Sequence, residues 1–271
     1  MTTRSQAVRS PASRRRHTAR SAPPRGGARR GSSRRRVLRR YLPPQHGAWA
    51  MLLAPWLAGV LIVGFRWPHA PLLVAWLTGY LFSYYLLLAV KTRRPGRVRA
   101  QLWVYGVPTA LLGALVVAAA PRVLWYAPAY ALLLAVNLAY AARRDERALL
   151  NDFAAVAQSC LMVFVVATVA GAAPGTVLLA FVVLAAYFTG TVLHVKTMIR
   201  ERGNPRYRWA SLVYHAVVAL GMLWVSLLAA AVFGLLLVRA WLLPGRPVTP
   251  LRLGVVEIVA SVLVLLAAVL S

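Results

Sequence analysis

Long apolar stretches separated by short polar links occupy the chain from residue 46 to its C-terminus. The stretches cover residues 46–64, 70–90, 103–120, 124–141, 150–171, 175–197, 210–243 and 253–270. Most have the length that a helix needs to cross a ~30 Å hydrocarbon core, but 210–243 would make one helix of about 50 Å. The pattern predicts an all-α, polytopic membrane helical bundle. It excludes a soluble globular enzyme and an outer-membrane barrel, whose strands alternate in polarity.

The charges of the links indicate how the long stretch is divided. Basic links alternate along the chain with nearly neutral ones. The basic segments 196–208 and 239–252 lie on the same side of the membrane only if the chain crosses it twice between them, which predicts a turn near residues 225–229. Nine spans result, with the N-terminus inside and the C-terminus outside. Thirty basic residues then face the cytoplasm and two, Arg66 and Arg122, face out, as the positive-inside rule requires.

The first 40 residues contain fourteen Arg and no acid, and they have no apolar run that could form a core. We predict a disordered cytoplasmic tail over residues 1–40 and a single transmembrane domain over residues 41–271. The tail holds the N-terminus inside and is attracted to anionic lipids. A transit peptide has a similar composition and is an alternative. Specific nucleic-acid binding is not expected, because no folded reading element accompanies the Arg clusters.

The amino-acid composition indicates the cellular location of the protein and restricts the kinds of site that it can contain. The chain carries 32 Lys+Arg against 5 Asp+Glu while 60% of its residues are apolar. Thirty Arg against two Lys, with abundant Ala, suggests a GC-rich bacterial genome and therefore a bacterial plasma membrane. The single cysteine, Cys160, allows neither a disulfide framework nor a cysteine-based zinc cluster, and no metal site is predicted.

Polar residues next to the spans gather at four places on the predicted cytoplasmic side, where they are costly and therefore candidates for a site. The first place opens span 1, where two prolines precede Gln45, His46 and Trp49. Gln45 and His46 would project near the free amides of the first helical turn, which is a natural anion-binding end. The alternative is an interfacial cap with a hydrogen-bonded histidine.

The second place is the end of span 2. Tyr80, Tyr84 and Lys91 share one helical face there, at i, i+4, i+11 spacing. Lys91 is one of only two lysines, and Arg94 follows it. A basic cluster that simply stops transfer through the membrane also explains the arginines of this link.

The third place enters span 5. Asp145 and Glu146 are expected to pair with neighbouring arginines at the surface, which is worth ~0–1 kcal/mol. Asn151 and Asp152 lie where the apolar stretch begins. Asp152 is either a carboxylate at a helix start or the buried partner of a cation such as Lys91 or Lys196.

The fourth place is the end of span 6. A polar stripe at helical spacing, predicted to face the bundle interior, consists of Tyr187, Thr191, His194, Met198 and Glu201. Lys196 and Arg200 form a second stripe. For His194 a catalytic role and a hydrogen-bonded structural role both stay open, whereas a structural hydrogen bond is expected for His215.

Three segments carry a resemblance to a known family. They are Pro44-Gln45-His46-Gly47-Ala48-Trp49, Glu146-Arg147-Ala148-Leu149-Leu150-Asn151-Asp152 and His194-Val195-Lys196 with Arg200-Glu201-Arg202. With them the chain resembles the YwiC-like family of bacterial membrane proteins over residues 41–271. The resemblance implies a multi-pass membrane protein and brings no biochemical activity with it.

A more distant similarity is to UbiA-type intramembrane prenyltransferases. Those enzymes also have nine spans, with Asp-rich motifs at the cytoplasmic ends of spans 2 and 6 that hold Mg²⁺ and a prenyl diphosphate. The corresponding places here hold Lys91, Arg94, Lys196 and Arg200, so the sign of the charge is reversed. An Mg²⁺ site built on carboxylates is therefore absent, although a cationic pocket can bind an anion directly.

The function predicted from these features is binding of an anionic amphipathic ligand, such as an isoprenoid or quinone-like compound, in a cationic cytoplasm-facing pocket. A divergent UbiA-like transferase that lacks the Asp-rich Mg²⁺ motifs is the catalytic form of this prediction. The predicted ligand-binding residues are Gln45, Trp49, Tyr84, Lys91, Arg94, Asn151, Lys196 and Arg200. The candidate catalytic bases are His46, His194 and Asp152. A transporter of a small anion or metabolite and a non-catalytic assembly protein are the alternatives, and the pattern identifies no cofactor.

Overall fold

The computed structural model describes Tyr41, residues 48–246 and residues 250–271. The helices are α1 Ala48–Val63, α2 His69–Thr92, α3 Arg99–Ala119, α4 Ala127–Ala142, α5 Leu149–Cys160, α6 Met162–Val169, α7 Leu178–Ile199, α8 Pro205–Met222, α9 Leu227–Leu242 and α10 Pro250–Leu270. Short 3₁₀ turns precede α3, α4 and α7 at Pro95–Arg97, Pro121–Tyr126 and Pro174–Val177. Because only Leu161 separates α5 from α6, these two form one helical segment, and the described residues contain nine helical segments in all. The predicted all-α membrane bundle is confirmed.

Five helical segments are long and apolar enough to cross a bilayer. They are His69–Thr92, Arg99–Ala119, Pro121–Ala142, Leu149–Val169 and Pro174–Ile199. Ala48–Val63, Leu227–Leu242 and Gly254–Leu270 are shorter apolar helices. The chain is therefore a multi-pass membrane protein.

The long apolar stretch at 210–243 is divided as the charges predicted. Helix α8 ends at Met222 and α9 begins at Leu227. The Ser226 hydroxyl accepts a hydrogen bond from the Ala229 amide at 3.1 Å, which caps the first turn of α9. The turn therefore covers residues 223–226, slightly before the predicted 225–229, because the cap at Ser226 starts the helix earlier.

Successive spans alternate in direction, so one face of the bundle collects the ends of α2, α4, α7 and α9 and the starts of α1, α3, α5, α8 and α10. We call it the basic face. From residue 48 onward fifteen of the eighteen Lys and Arg and four of the five acids belong to it. Arg66 and Arg122 belong to the opposite face, and Arg239 and Glu257 lie deeper, between the helices.

Helix α7 lies at the centre of the bundle. It packs against α1, α5, α6, α8, α9 and α10. The apolar windows of Leu149–Val169 and Pro174–Ile199 are 56% and 44% buried, against 6% for Arg99–Ala119 and for Pro121–Ala142. Polar side chains on α7 are therefore enclosed by other helices, whereas α3 and α4 are peripheral.

Replacing Gly59 with alanine is expected to destabilise the protein by about 1–3 kcal/mol, because the added methyl overpacks the contact between α1 and α6. A Cβ at Gly59 would lie 2.8 Å from two Val166 side-chain carbons and 3.3 Å from the Val163 carbonyl oxygen. Thermal unfolding in detergent micelles measures the effect. Gly113→Ala is the matched control, since a Cβ there meets nothing within 4 Å, and equal unfolding temperatures for the two variants would contradict the packing.

Candidate functional site

Two ion pairs bring three of the four predicted polar places together on the basic face. The Lys91 ammonium, at the end of α2, lies 2.9 Å from the Glu146 carboxylate. The Lys196 ammonium, near the end of α7, lies 2.8 Å from the Asp152 carboxylate in the first turn of α5. The two lysines thereby join α2 and α7 to the connection between α4 and α5, residues 143–148, which we call the α4–α5 loop.

Backbone contacts fix the α4–α5 loop as well. Arg144 has a left-handed backbone, with φ of 59°, and this turns the chain sharply after α4. The Lys196 ammonium donates to the Arg147 carbonyl oxygen at 2.6 Å. The Asn151 amide donates to the Glu146 carbonyl oxygen at 2.8 Å. Side chains from α5 and α7 therefore hold both ends of the short segment from Glu146 to Arg147.

These contacts show how the acidic residues are used. Asp152 lies in the first turn of α5 and is also the partner of Lys196, so both predicted roles apply to it. The prediction that Glu146 pairs with a neighbouring arginine is wrong, because its carboxylate binds Lys91, fifty-five residues away in the sequence. The predicted pocket cations Lys91 and Lys196 are thus each neutralised by a carboxylate.

A second group of polar side chains lies among α7, α8, α9 and α10. This buried polar cluster consists of Tyr187, Thr191, His194, His215, Arg239, Glu257 and Ser261. Tyr187 is 2% exposed and His194 is fully buried. This confirms that the first half of the polar stripe on α7 faces the bundle interior. Glu201 lies beyond the end of α7 and instead accepts a hydrogen bond from Asn204 at 2.9 Å.

Glu257 is the centre of the buried polar cluster. Its carboxylate accepts a hydrogen bond from Arg239 Nη1 at 2.6 Å, and the two side chains are only 15% and 7% exposed. Tyr187 Oη and Thr191 Oγ1 each lie 3.4 Å from the other carboxylate oxygen. Ser261 Oγ lies 2.9 Å from Tyr187 Oη. An ion pair so deeply buried is expensive to form without such additional hydrogen bonds.

Two histidines lie on helices of the same cluster, His194 three residues after Thr191 on α7 and His215 on α8. The rings of His194 and His215 meet edge to face, with their centroids 6.4 Å apart. His215 Nδ1 donates to the Ser211 carbonyl oxygen at 2.7 Å, which leaves the lone pair on Nε2 in the neutral ring. Gly190 permits the close approach of His215 to α7, because a Cβ there would lie 3.0 Å from Nε2. The structural hydrogen bond predicted for His215 is confirmed.

Several buried nitrogens of the cluster have no hydrogen-bond partner among the described residues. Both ring nitrogens of His194 and the Nε and Nη2 nitrogens of Arg239 are in this state. A buried donor without an acceptor costs about 1–3 kcal/mol. The hydrogen-bonded structural role for His194 therefore finds no support, and the free donors suit an anionic acceptor.

Polar side chains continue from the cluster toward one side of the bundle only. Glu257 lies about 10 Å from the start of α10, and Tyr187 about 18 Å from the end of α7, at 1.5 Å per residue. Beyond the cluster, the remaining halves of α7 to α10 carry no ionisable or hydrogen-bonding side chain. The polar groups thus extend from the basic face to about mid-depth and stop there.

The other predicted site residues lie around this centre or apart from it. Trp49 packs edge to face on Tyr80 at 6.4 Å, and Tyr84 does so on Tyr85 at 5.1 Å. Arg94 and Arg200 are exposed on the basic face. Gln45 and His46 lie outside the described residues.

Sequence reasoning missed the central ion pair. It assigned Arg239 to a basic link, and it gave Glu257 no role. The signal was nevertheless present, because Glu257 is an acid inside the apolar stretch 253–270 and an ionisable residue within a span is a site candidate by default. Within the part of the chain that the structure describes, no group of three or more His, Cys, Asp or Glu side chains could hold a metal ion.

Comparisons with known proteins agree on one family. The family model for the YwiC-like protein matches residues 42–167. The chain is 34% identical over 224 residues to the uncharacterized protein YwiC of Bacillus subtilis (strain 168), which covers 82% of this chain and 94% of that relative. It is 30% identical over 220 residues to an uncharacterized protein of Haemophilus influenzae, covering 79% and 90%. No solved structure matches the chain, and the similarity to UbiA-type prenyltransferases stays a prediction. The chain belongs to the YwiC-like family.

Proposed function

We propose that this protein binds an anionic amphipathic ligand whose headgroup enters the buried polar cluster from the basic face. The observation that carries the proposal is the set of unpartnered buried donors on Arg239 and His194. A phosphate or carboxylate headgroup would accept hydrogen bonds from these donors, and charge-assisted bonds of this kind are the strong ones.

The surroundings of the cluster favour an amphipathic ligand over a water-soluble one. Val255 and Ile258, on either side of Glu257, are 54% and 62% exposed at the outer surface of the bundle. In a membrane this surface contacts acyl chains, so the headgroup site lies within reach of the apolar phase. An apolar tail can remain in the lipid while the headgroup enters between the helices.

The charges of the basic face support access from the cytoplasmic leaflet of a bacterial plasma membrane. The positive-inside rule orients this face toward the cytoplasm. Arg200 is exposed at the end of α7 and offers a first contact for the headgroup. Lys91 and Lys196 do not contact the headgroup in this proposal. Their ion pairs position the α4–α5 loop beside the end of α7, on the face from which the headgroup enters.

The geometry favours a binding or transfer protein over a transporter. A transport path needs polar groups across the full thickness of the bundle, whereas these groups stop near mid-depth. His194 is the candidate base for transfer chemistry, because it is the member of the cluster whose imidazole has both nitrogens unengaged.

The proposal is tested by replacing His194 with leucine, an apolar side chain of similar size. The imidazole of His194 makes no hydrogen bond to a described residue, so the fold should be preserved while one contact to the headgroup is lost. Hydrogen bonds to charged groups are worth about 1.5–3 kcal/mol, and we therefore expect about 10- to 100-fold less bound ligand. Native mass spectrometry of the purified protein, followed by extraction and identification of the bound species, measures it.

Arg246→Gln is the matched control, because Arg246 is an exposed cation of the same face outside the buried polar cluster. It should retain the bound species at wild-type occupancy. If His194→Leu also retains it at wild-type occupancy, the headgroup does not contact His194 and the proposal is wrong.

A further inference from the structure

A groove on the outer surface of α2 and α3 lies apart from the buried polar cluster. It has a volume of about 410 Å³. Its α3 side is formed by Arg99, Leu102, Trp103, Gly106, Val107 and Ala110, and Phe82 of α2 closes the other side. The α3 residues follow the i, i+3, i+4, i+7, i+8, i+11 spacing of one helical face. The groove therefore runs along the helix axis, apolar except at its Arg99 end.

The absence of a side chain at Gly106 keeps the groove open. A Cβ at this position would lie 3.1 Å from the Phe82 ring, so any larger residue would fill the floor. Trp103 is 63% exposed and Val107 43% exposed, and both therefore present apolar surface outward. In a membrane these surfaces contact lipid.

The length of the groove matches one leaflet of a bilayer. From Arg99 to Ala110 the helix rises about 16 Å at 1.5 Å per residue. Half of a ~30 Å hydrocarbon core is about 15 Å. One acyl chain that starts at the Arg99 end can thus lie along the whole groove without crossing the midplane.

The Arg99 end of the groove carries a concentrated positive charge. Arg93, Arg94, Arg97 and Arg99 are all exposed in the connection from α2 to α3. None of them forms a salt bridge with an acid among the described residues. Anionic headgroups are attracted to such basic segments at the end of a span. These arginines lie at the end of the groove where the headgroup of a lipid would bind.

We infer that the groove on α2 and α3 is a binding site for an anionic phospholipid of the leaflet at the basic face. Arg99 and its neighbouring arginines bind the phosphate, and one acyl chain lies between Phe82 and Val107. The site does not depend on the buried polar cluster, since α3 is peripheral and does not contribute to that cluster.

The test reconstitutes the whole protein in nanodiscs that contain phosphatidylglycerol and phosphatidylcholine in equal amounts. Lipids that stay bound on ejection into native mass spectrometry are counted. We expect phosphatidylglycerol to be retained preferentially, and Arg99→Gln to lower that preference about fivefold. Ala110→Phe should lower retention in the same way, because Ala110 is exposed and a ring there obstructs the path of the chain.

Two control variants separate this site from general contact with lipid. Arg122→Gln removes an exposed arginine of the opposite face, and Ala131→Phe adds a ring to an exposed position on α4. Both should behave as wild type. Equal retention of the two lipids by wild type would overturn the inference, and so would undiminished preference in both Arg99→Gln and Ala110→Phe.

Discussion

Replacing Arg239 with glutamine is expected to destabilise the protein by about 3–5 kcal/mol. The substitution leaves the Glu257 carboxylate, 15% exposed, without its cationic partner inside the bundle. A buried charge without a partner is far more costly than the ion pair is favourable. Chemical or thermal unfolding in detergent micelles, with wild type as the reference, measures the change.

The double variant Arg239→Gln/Glu257→Gln is the control for this prediction. It removes both charges and keeps side chains that can hydrogen-bond to Tyr187 and Thr191, so most of the lost stability should return. Removing both charges leaves no unpaired charge inside the bundle, which is the costly state. If the single variant is as stable as wild type, the Glu257 charge is not enclosed as the structure indicates.

Replacing Lys196 with methionine is expected to release the α4–α5 loop. Lys196 is 10% exposed on its side chain and binds both the Asp152 carboxylate and the Arg147 carbonyl oxygen. The Asp152 side chain is 29% exposed, so water can solvate its carboxylate once the ammonium is gone. The expected loss of stability is therefore about 3 kcal/mol, the lower end of the range for breaking a buried ion pair. Limited trypsin digestion after the exposed Arg143 and Arg144 should then accelerate on the order of 100-fold, because cleavage follows the population of the open loop.

Two variants control the loop experiment. Lys196→Arg keeps the charge and should remain close to wild type in cleavage rate. Arg208→Met removes an exposed cation of the same face and should leave cleavage in the loop unchanged. Identical cleavage of wild type and Lys196→Met would show that the two contacts of Lys196 do not hold the loop.

Most of the fold could be predicted from the sequence, because a bilayer restricts the length and the polarity of the helices that cross it. Apolar length predicted the spans, and the alternation of charged links correctly divided residues 210–243 into α8 and α9. The interruption at Leu161 between α5 and α6 was not predicted, since Gln158 and Ser159 are the only polar residues just before it and neither is a helix breaker. Such an interruption depends on packing, which the pattern of polarity does not contain.

The site was predictable only in part. The sequence assigns each helix end to one face of the membrane, but it does not show which side chains at these ends contact each other. The sequence indicated that Asp152 and Lys196 lie on one face, yet Lys91 was an equal alternative until the contact between α5 and α7 decided it. Arg239 resembled a charge in a link, because it lies near the end of an apolar stretch. In the structure α10 lies beside α9 and brings the Glu257 carboxylate to 2.6 Å from the Arg239 guanidinium. Only this contact shows that Arg239 is a buried cation and not an interfacial one.

Native mass spectrometry of wild type and the charge-neutral double variant Arg239→Gln/Glu257→Gln tests the buried anion site most directly. Wild type should carry an anionic amphipathic molecule, and the double variant should carry at least tenfold less of it while unfolding at a similar temperature. That result would assign the headgroup to Arg239 independently of any change in the fold. The same species bound at equal occupancy in both proteins, or no bound anion in wild type, would contradict a ligand site in the buried polar cluster.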